Sequence, residues 1–325
     1  MMPSLQRRRL LQTLVALAAD AALLKPVLAQ TDKIVRIGYQ KSSTLLTILK
    51  ANGTLEKLLA AVGVKINWHE FSSGLPLLEA LNIGAVDLSA DVADTVPVFA
   101  QAAGARLTYL AQEAPSPRAQ AIVVRSDSPL ANVAALKYKK IAVTKAAGVH
   151  YLLIATLAQA GLTLHDVEVA YLTPADARAA FERGSVDAWV SWDPFLAAVQ
   201  KQTPVRILSD GRNIADYQRY YLASTVFAET HPEVLAIVFD ALKRTGAWVR
   251  QYPQQAAALL APLWGLDEDT IVLANSRRSY EVRAVKRSAL GEQQRIADTF
   301  FAAGLLPRKV NATDVAIWTP AAEAN

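Results

Sequence analysis

Five short stretches place small polar residues between an apolar run and the start of a helical pattern: Tyr39-Gln40-Lys41-Ser42-Ser43, Phe71-Ser72-Ser73-Gly74, Asp91 to Val96, Lys145 to His150, and Ser191-Trp192-Asp193. Loops of that kind lie at the carboxyl ends of strands, where open α/β sheets take ligands. The helix that follows offers unpaired N–H groups and the positive end of its dipole. The chemistry this suits is capture of a small anion by backbone and hydroxyl donors, without a salt bridge. A plainer use stands beside it, because Ser72, Asp94, Thr95 and Asp193 are of the types that cap their own helices. Trp192 either walls the organic part of a ligand or packs at the domain surface. His150, which opens the run Tyr151-Leu152-Leu153-Ile154, either donates to an anion or closes its turn.

Signatures of catalysis are missing from the sequence: there is no glycine-rich P-loop, no G-x-G-x-x-G, no G-x-S-x-G and no H-E-x-x-H. The four histidines, His69, His150, His165 and His231, are scattered, and cysteine is absent. No zinc or iron site is expected from such spacing, nor any cofactor or catalytic residue.

The elements that must position these loops alternate. Short runs rich in Val and Ile predict strands at Ile34–Gly38, Lys65–His69, Val86–Ser89, Leu107–Ala111, Ala121–Arg125, Lys140–Thr144, Val167–Tyr171, Val186–Val190 and Val205–Leu208, with helical patterns between them. A further apolar run, Tyr220–Ser224, precedes a helix-rich final third around His231–Gln251, Gln254–Leu263, Asp267–Ser276 and Glu292–Ala303. Pro76, Pro97, Pro194, Pro232 and Pro253 sit where helices should start. Two prolines in Gln112-Glu113-Ala114-Pro115-Ser116-Pro117-Arg118 mark a crossing between domains, and Asp210-Gly211-Arg212-Asn213 marks the return. The expected architecture is α/β and two-lobed, each lobe a mostly parallel sheet flanked by helices, joined by a two-segment hinge. Lobe I takes residues 32–113 and 219–325, lobe II residues 114–218.

The 325 residues, 52% hydrophobic and 19% charged, suffice for one or two packed domains. Of the net charge of +5, Arg7, Arg8, Arg9 and Lys25 against Asp20 supply +3, leaving +2 on the rest. That is no footprint for nucleic acid, which calls for Lys and Arg clustered on one face. Residues 1–29 read as a cleaved export signal: basic Arg7-Arg8-Arg9, an apolar stretch from Leu10 to about Leu24, then Val27-Leu28-Ala29. Arg7-Arg8-Arg9-Leu10-Leu11-Gln12 also resembles a twin-arginine motif, so Sec and twin-arginine routes both stay open. The apolar stretch is short and holds Asp20, unlike a membrane span. A periplasmic protein held together by its core, without disulfides, fits these features.

Three groups of residues carry a family resemblance: Ile37-Gly38-Tyr39-Gln40-Lys41, Ser73-Gly74-Leu75-Pro76-Leu77-Leu78-Glu79-Ala80-Leu81, and Val98-Phe99-Ala100-Gln101-Ala102-Ala103-Gly104. Tyr171-Leu172-Thr173-Pro174-Ala175-Asp176, Val186-Asp187-Ala188-Trp189-Val190-Ser191-Trp192-Asp193-Pro194-Phe195, His231-Pro232 and Arg277-Arg278-Ser279-Tyr280 extend it. From about Val35 to Trp318 the chain resembles the periplasmic substrate-binding proteins of aliphatic sulfonate ABC transporters, within a wider group that includes taurine- and nitrate-binding proteins. The resemblance implies a fold that closes over a small organic sulfonate and delivers it to ABC permease subunits in the inner membrane for sulfur acquisition. It implies a monomer and no catalysis.

Carried over position by position, the implied ligand residues are Gln40, Gly74, Asp94, Thr95, Gly148, Val149, His150, Trp192 and Asp193. Two departures stand out. Where the family carries a glycine-serine-serine-like loop before its histidine, this chain has Lys145-Ala146-Ala147-Gly148-Val149-His150, and Ala93 replaces a common glycine. As charged groups facing a sulfonate, Asp94 and Asp193 would repel it, so they are expected to orient donors or to meet an amino group. Arg118, Arg219, Arg277 and Arg278 stand as candidate positive partners of the anion, but surface arginines are usually just solvated, and they are kept outside the site. Taurine, nitrate or a pyrimidine precursor remain alternative ligands, and a periplasmic sensor an alternative role. A pyrimidine-synthesising enzyme of this fold would need a cofactor-bound lysine and metal-binding histidines, and only Lys145 and His150 lie near each other.

Overall fold

The computed structural model describes residues 33–321, so the export signal read at residues 1–29 lies outside the described residues. In chain order the strands are β1 (Lys33–Gln40), β2 (Val64–Phe71), β3 (Leu88–Ala93), β4 (Leu107–Glu113), β5 (Gln120–Arg125) and β6 (Lys140–Val143). They continue with β7 (Glu168–Tyr171), β8 (Ala188–Trp192), β9 (Val205–Asp210), β10 (Arg219–Ser224), β11 (Val282–Arg283) and β12 (Ala316–Ile317). The helices are α1 (Thr44–Ala51), α2 (Thr54–Ala60), α3 (Gly74–Asn82), α4 (Thr95–Ala102), α5 (Gly148–Gln159) and α6 (Pro174–Glu182). After them come α7 (Phe195–Gln202), α8 (Thr225–Thr230), α9 (Pro232–Gln251), α10 (Pro253–Trp264), α11 (Glu268–Asn275) and α12 (Gly291–Ala302).

These strands form two sheets. One has the order β11-β4-β10-β3-β1-β2, with β12 also on β4, and the other β7-β6-β8-β5-β9. β1 runs parallel to β3, with Ile37 opposite Leu88, and β6 runs parallel to β7 and β8. β10 is antiparallel to both β3 and β4, and β5 to both β8 and β9. Each sheet is therefore mostly parallel with antiparallel strands inserted: β7, β6, β8 and β9 share one direction against β5, and β1, β3, β4 and β12 share one against β10 and β11. The reason is topological: β5 and β10 are the first strands after the chain passes from one sheet to the other, and each inserts against the local direction.

Two strands sit later than the apolar runs suggest. β3 runs on to Ala93 because its charged residue, Asp91, is compensated inside the protein by Arg219 and Arg278, and β8, which carries no charge, runs from Ala188 to Trp192. Consequently the loops are shorter than read: Gln40 closes β1, Asp91 lies inside β3, and Ser191 and Trp192 belong to β8. Pro76 and Pro97 are third residues of α3 and α4, while Pro232 and Pro253 do open α9 and α10.

The two passages between the sheets, residues 114–119 and 211–218, run side by side. Ser116 N donates to the Asp216 carbonyl at 3.0 Å and Gly211 N to the Pro117 carbonyl at 3.1 Å. A Cβ on Gly211 would lie 2.5 Å from the Pro117 oxygen, so glycine is what lets the passages touch.

Packing follows from side-chain period. On β10, Tyr220 and Leu222 enter one apolar cluster while Tyr221 and Ala223 enter another on the opposite face. α9 buries Val234, Leu235, Val238, Leu242, Thr245 and Val249, a helical stripe against the first sheet. α5 is different: Gly148 through Leu153 are all buried, which amphipathic spacing does not produce. It is packed on β5 and β8 and, from the first sheet's side, on α4 and α12. One apolar cluster accordingly runs from Val92 and Val96 through Tyr217 to Val149, Val190 and Trp192, spanning both sheets.

Candidate functional site

Four helices start without side-chain caps where the two sheets face each other. α1, α3, α4 and α5 follow β1, β2, β3 and β6, and no side chain accepts a hydrogen bond at any of their N-caps. By contrast Thr173 caps α6, Ser224 caps α8 and Asp267 caps α11. Caps are also missing at α2, α9, α10 and α12, of which α9 and α10 begin on prolines that remove one orphan donor. Ser72, Asp94 and Thr95 thus do not make the caps that their types suggest, and the first-turn N–H groups keep their positive dipole ends.

Contacts tie the four starts together. Gln40 Nε2 donates to the Asp91 carbonyl at 3.0 Å, joining the end of β1 to β3. Gly74 opens α3 against β3 and α4: a Cβ there would be 2.9 Å from Val96 Cγ2 and 3.3 Å from Val92 Cγ1. Thr95 Oγ1 donates to the Ala146 carbonyl at 2.6 Å, which links the first sheet's α4 to the loop before α5. Gly148 lies against the Tyr217 ring and Ala93, and Val149 is buried in the cluster shared by the sheets.

His150 is buried, and both its ring nitrogens are engaged within the chain. Nδ1 accepts from Ala146 N–H at 3.3 Å, so Nε2 carries the proton and donates to the Tyr171 hydroxyl at 3.2 Å. Burial, with a smaller push from Lys145, lowers its pKa to about 4, and the ring is neutral at pH 7. It fixes the loop before α5 and adds no positive charge. Trp192 is 4% exposed and meets Phe195 edge-on at 5.4 Å.

The charged residues are the main departure from the sequence reading. Arg118 is exposed as expected, but Arg219 and Arg278 are buried and the Arg277 side chain is only 8% exposed. Asp91 Oδ2 accepts from Arg219 Nη1 at 2.8 Å and from Arg278 Nη2 at 3.1 Å. Glu113 Oε1 accepts from Arg278 Nη2 at 2.6 Å and from the Tyr221 hydroxyl at 2.7 Å. Two acids and two guanidiniums therefore balance. Asp193 accepts from Ala197 N–H at 3.0 Å, which caps α7, and lies 3.2 Å from Arg277 Nη1. Asp94 Oδ2 accepts from Gln218 N–H at 2.9 Å. Burial raises the carboxyl of Asp94 to about 7, and that of Asp193 to about 7 even beside Arg277. The cleft is therefore far less negative near pH 7 than four buried acids would make it.

Sequence reasoning set aside or missed Asp91, Glu113, Tyr217, Arg219, Arg277 and Arg278. A charge inside an apolar run was the available signal: Asp91 within Leu88–Ala93, and Arg219 ahead of Tyr220-Tyr221-Leu222. Several buried polar atoms have no hydrogen-bond partner among the described residues: Ser42 Oγ, Asp91 Oδ1, Glu113 Oε2, both side-chain amide atoms of Gln120, Ser191 Oγ and Arg219 Nε. Gln120 and Ser191 are neighbours on the β5–β8 ladder, where Gln120 pairs with Trp192 and Ala121 with Ser191. Among the described residues, no three His, Asp or Glu side chains gather as a metal site would need.

Two mixed α/β lobes with the candidate cleft between them define a protein of the periplasmic binding-protein class. The NMT1/THI5-like family matches residues 59–256. The aliphatic sulfonates-binding protein of Escherichia coli (strain K12) is 40% identical over 291 residues, 89% of this chain and 90% of that one. The crystal structure of the periplasmic aliphatic sulphonate binding protein SsuA from Escherichia coli superposes with a TM-score of 0.79 at 40% identity, covering 88% of this chain and 97% of that chain. The alkanesulfonate-binding protein SsuA from Xanthomonas axonopodis pv. citri, bound to MOPS, gives a TM-score of 0.82 at 36% identity, covering 88% and 98%. The chain belongs to the NMT1/THI5-like family and, within it, to the aliphatic sulfonate-binding proteins.

Proposed function

We propose that this chain is the periplasmic solute-binding component of an ABC importer, which holds an aliphatic sulfonate between its lobes and presents it to the permease for use as a sulfur source. The observation that carries the reading is the set of four uncapped helix starts, at α1, α3, α4 and α5, tied by contact across the two sheets. Their N–H groups suit a monoanion whose charge is spread over three oxygens, with no cation needed beside it. The relatives supply the ligand class, and the MOPS held by one of them is itself an alkanesulfonate.

In this reading the sulfonate meets backbone donors near Gly74, Thr95, Gly148 and Val149, with Gln40 and the unpartnered Ser42 and Ser191 hydroxyls alongside. Trp192 covers the alkyl part. Asp94 and Asp193 hold backbone and guanidinium donors in place, and His150 positions the loop before α5. Because Arg277 already neutralises Asp193, plain alkanesulfonates are favoured over ligands carrying an ammonium group. Lobe I comprises residues 32–113 and 219–325, lobe II residues 114–218, and the two passages between the sheets form the hinge. Ligand selects the closed arrangement, and the permease recognises it. Export removes residues 1–29, the mature chain works as a monomer, and no step of catalysis is involved.

Calorimetry and thermal shift on residues 30–325 test this with alkanesulfonates, MOPS, taurine, nitrate, sulfate and pyrimidines. Alkanesulfonates and MOPS are expected to raise the Tm, by about 2.7 kcal/mol of stabilisation at a hundred times the Kd. A shift with nitrate or pyrimidines alone overturns the ligand class.

A further inference from the structure

Four consecutive residues after α11 reach three separate parts of the molecule. Arg277 Nη1 lies 3.2 Å from Asp193 Oδ1, and its Nη2 donates to Gln200 Oε1 at 2.5 Å, both partners belonging to the segment that follows β8. Arg278 donates to the Ser42 carbonyl at 2.7 Å, to Thr44 Oγ1 at 3.2 Å and to the two acids of the first sheet. Ser279 N donates to Ser116 Oγ at 3.1 Å, and Ser279 Oγ to the Ala114 carbonyl at 2.8 Å, both on the first passage between the sheets.

Tyr280 pins the far end. Its hydroxyl donates to Asn275 Oδ1 at 2.5 Å, and its carbonyl accepts from Arg250 Nη1 at 2.6 Å. The residue is held at φ +48°, a left-handed conformation that is unfavourable for a side chain and persists only where surroundings enforce it. α9 does the enforcing: a Cβ on Gly246 would lie 2.2 Å from the Tyr280 oxygen, so only glycine admits this approach.

We propose that Arg277–Tyr280 is a closure strap, in which Arg277 grips the second lobe when the lobes come together and Ser279 passes that engagement to the hinge. The proposal rests on the two-lobe capture reading. Its logic lies in an asymmetry between neighbours. Every partner of Arg278 named above is on the first lobe, whereas Asp193 and Gln200 are on the second. Lobe opening strips Arg277 of both and leaves Arg278 untouched, so the two adjacent arginines divide into a moving contact and a fixed anchor.

The test is small-angle scattering and calorimetry on residues 30–325, with butane-1-sulfonate as the probe. Arg277→Gln is expected to keep the far-UV circular dichroism of the parent, enlarge the radius of gyration without sulfonate, and weaken binding about tenfold through faster release. Arg277→Lys should recover part of the loss. Asp193→Asn combined with Arg277→Gln should bind no more weakly than the weaker single variant, since both break one contact. Unchanged radius and affinity in Arg277→Gln, or single losses that add in the double variant, overturn the strap. If the parent does not bind butane-1-sulfonate, the sulfonate reading fails, and the scattering comparison alone decides the strap.

Discussion

A Cβ placed on Gly148 would lie 2.3 Å from Cε2 of the Tyr217 ring and 3.2 Å from Ala93 Cβ. Tyr217 has nowhere to go: it is buried, its hydroxyl accepts from Arg219 Nη2 at 3.1 Å, and its backbone is fixed at φ +53°. The first residue of α5 is thus fitted against a hinge tyrosine with no room for a methyl group. Gly148→Ala is expected to cost about 1–3 kcal/mol of stability by overpacking. It should also weaken sulfonate binding, because relief of the clash must move α5 or the hinge. Urea unfolding and calorimetry on the same variant check both, and parental values in each would show that the loop shifts freely.

Thr95 tests whether the contact between the sheets contributes to binding. Its hydroxyl donates to the Ala146 carbonyl at 2.6 Å in a buried setting, so Thr95→Val keeps the shape and leaves that carbonyl without its donor. A loss of about 1–3 kcal/mol is expected, the cost of an unsatisfied buried acceptor. If closure brings the two groups together, affinity for butane-1-sulfonate falls along with stability. A loss of stability at unchanged affinity would make the bond a fixed structural one.

Much of this architecture was legible because side-chain period is local. The Val- and Ile-rich runs, with the run at Tyr220–Ser224, marked β1 to β10, the two-residue β11 and β12 carried no such run, and the apolar stripe of α9 marked its helix. What escaped depends on which strands become neighbours. Arg219 looks like a surface arginine until β10 lies beside β3 and brings it to Asp91, and Arg278 looks the same until it reaches Glu113. β5 and β10 read as ordinary strands, yet their antiparallel insertion follows from the two crossings and makes each sheet mixed. The loops that could hold an anion were visible as strand, small polar residues and helix. Their lack of caps was not, since Asp94 and Thr95 spend their side chains on Gln218 and Ala146 instead.

Asp94 makes a prediction about pH. Burial raises its carboxyl from 3.8 to about 7. The folded state therefore holds a proton that the unfolded chain releases near pH 4, and this contribution is complete below that value. It is lost as pH rises toward 7, and the three-unit shift sets its ceiling at about 4 kcal/mol. Asp94→Asn keeps an acceptor for Gln218 N–H and removes the titration. Its stability should fall less than the parent's between pH 4 and 7 and exceed the parent's at pH 8, as measured by urea midpoints across that range. Parallel curves would show that Asp94 titrates alike in both states.

Trp192 separates a ligand wall from a core residue. The ring is almost wholly buried, edge-on to Phe195, in the cluster shared by the sheets. Trp192→Ala is therefore expected to cost about 3–5 kcal/mol of stability whatever the ring does for ligand, and to confound folding with binding. Trp192→Phe keeps an apolar ring but shortens the wall. If the indole covers the alkyl tail, each methylene that loses its contact weakens binding by up to about 0.8 kcal/mol. The affinity ratio of parent to variant should then widen from methanesulfonate through butane-1-sulfonate to octane-1-sulfonate, as read by calorimetry. A constant ratio across the series would assign the ring to packing, because a loss arising from the fold alone does not depend on how long the ligand is.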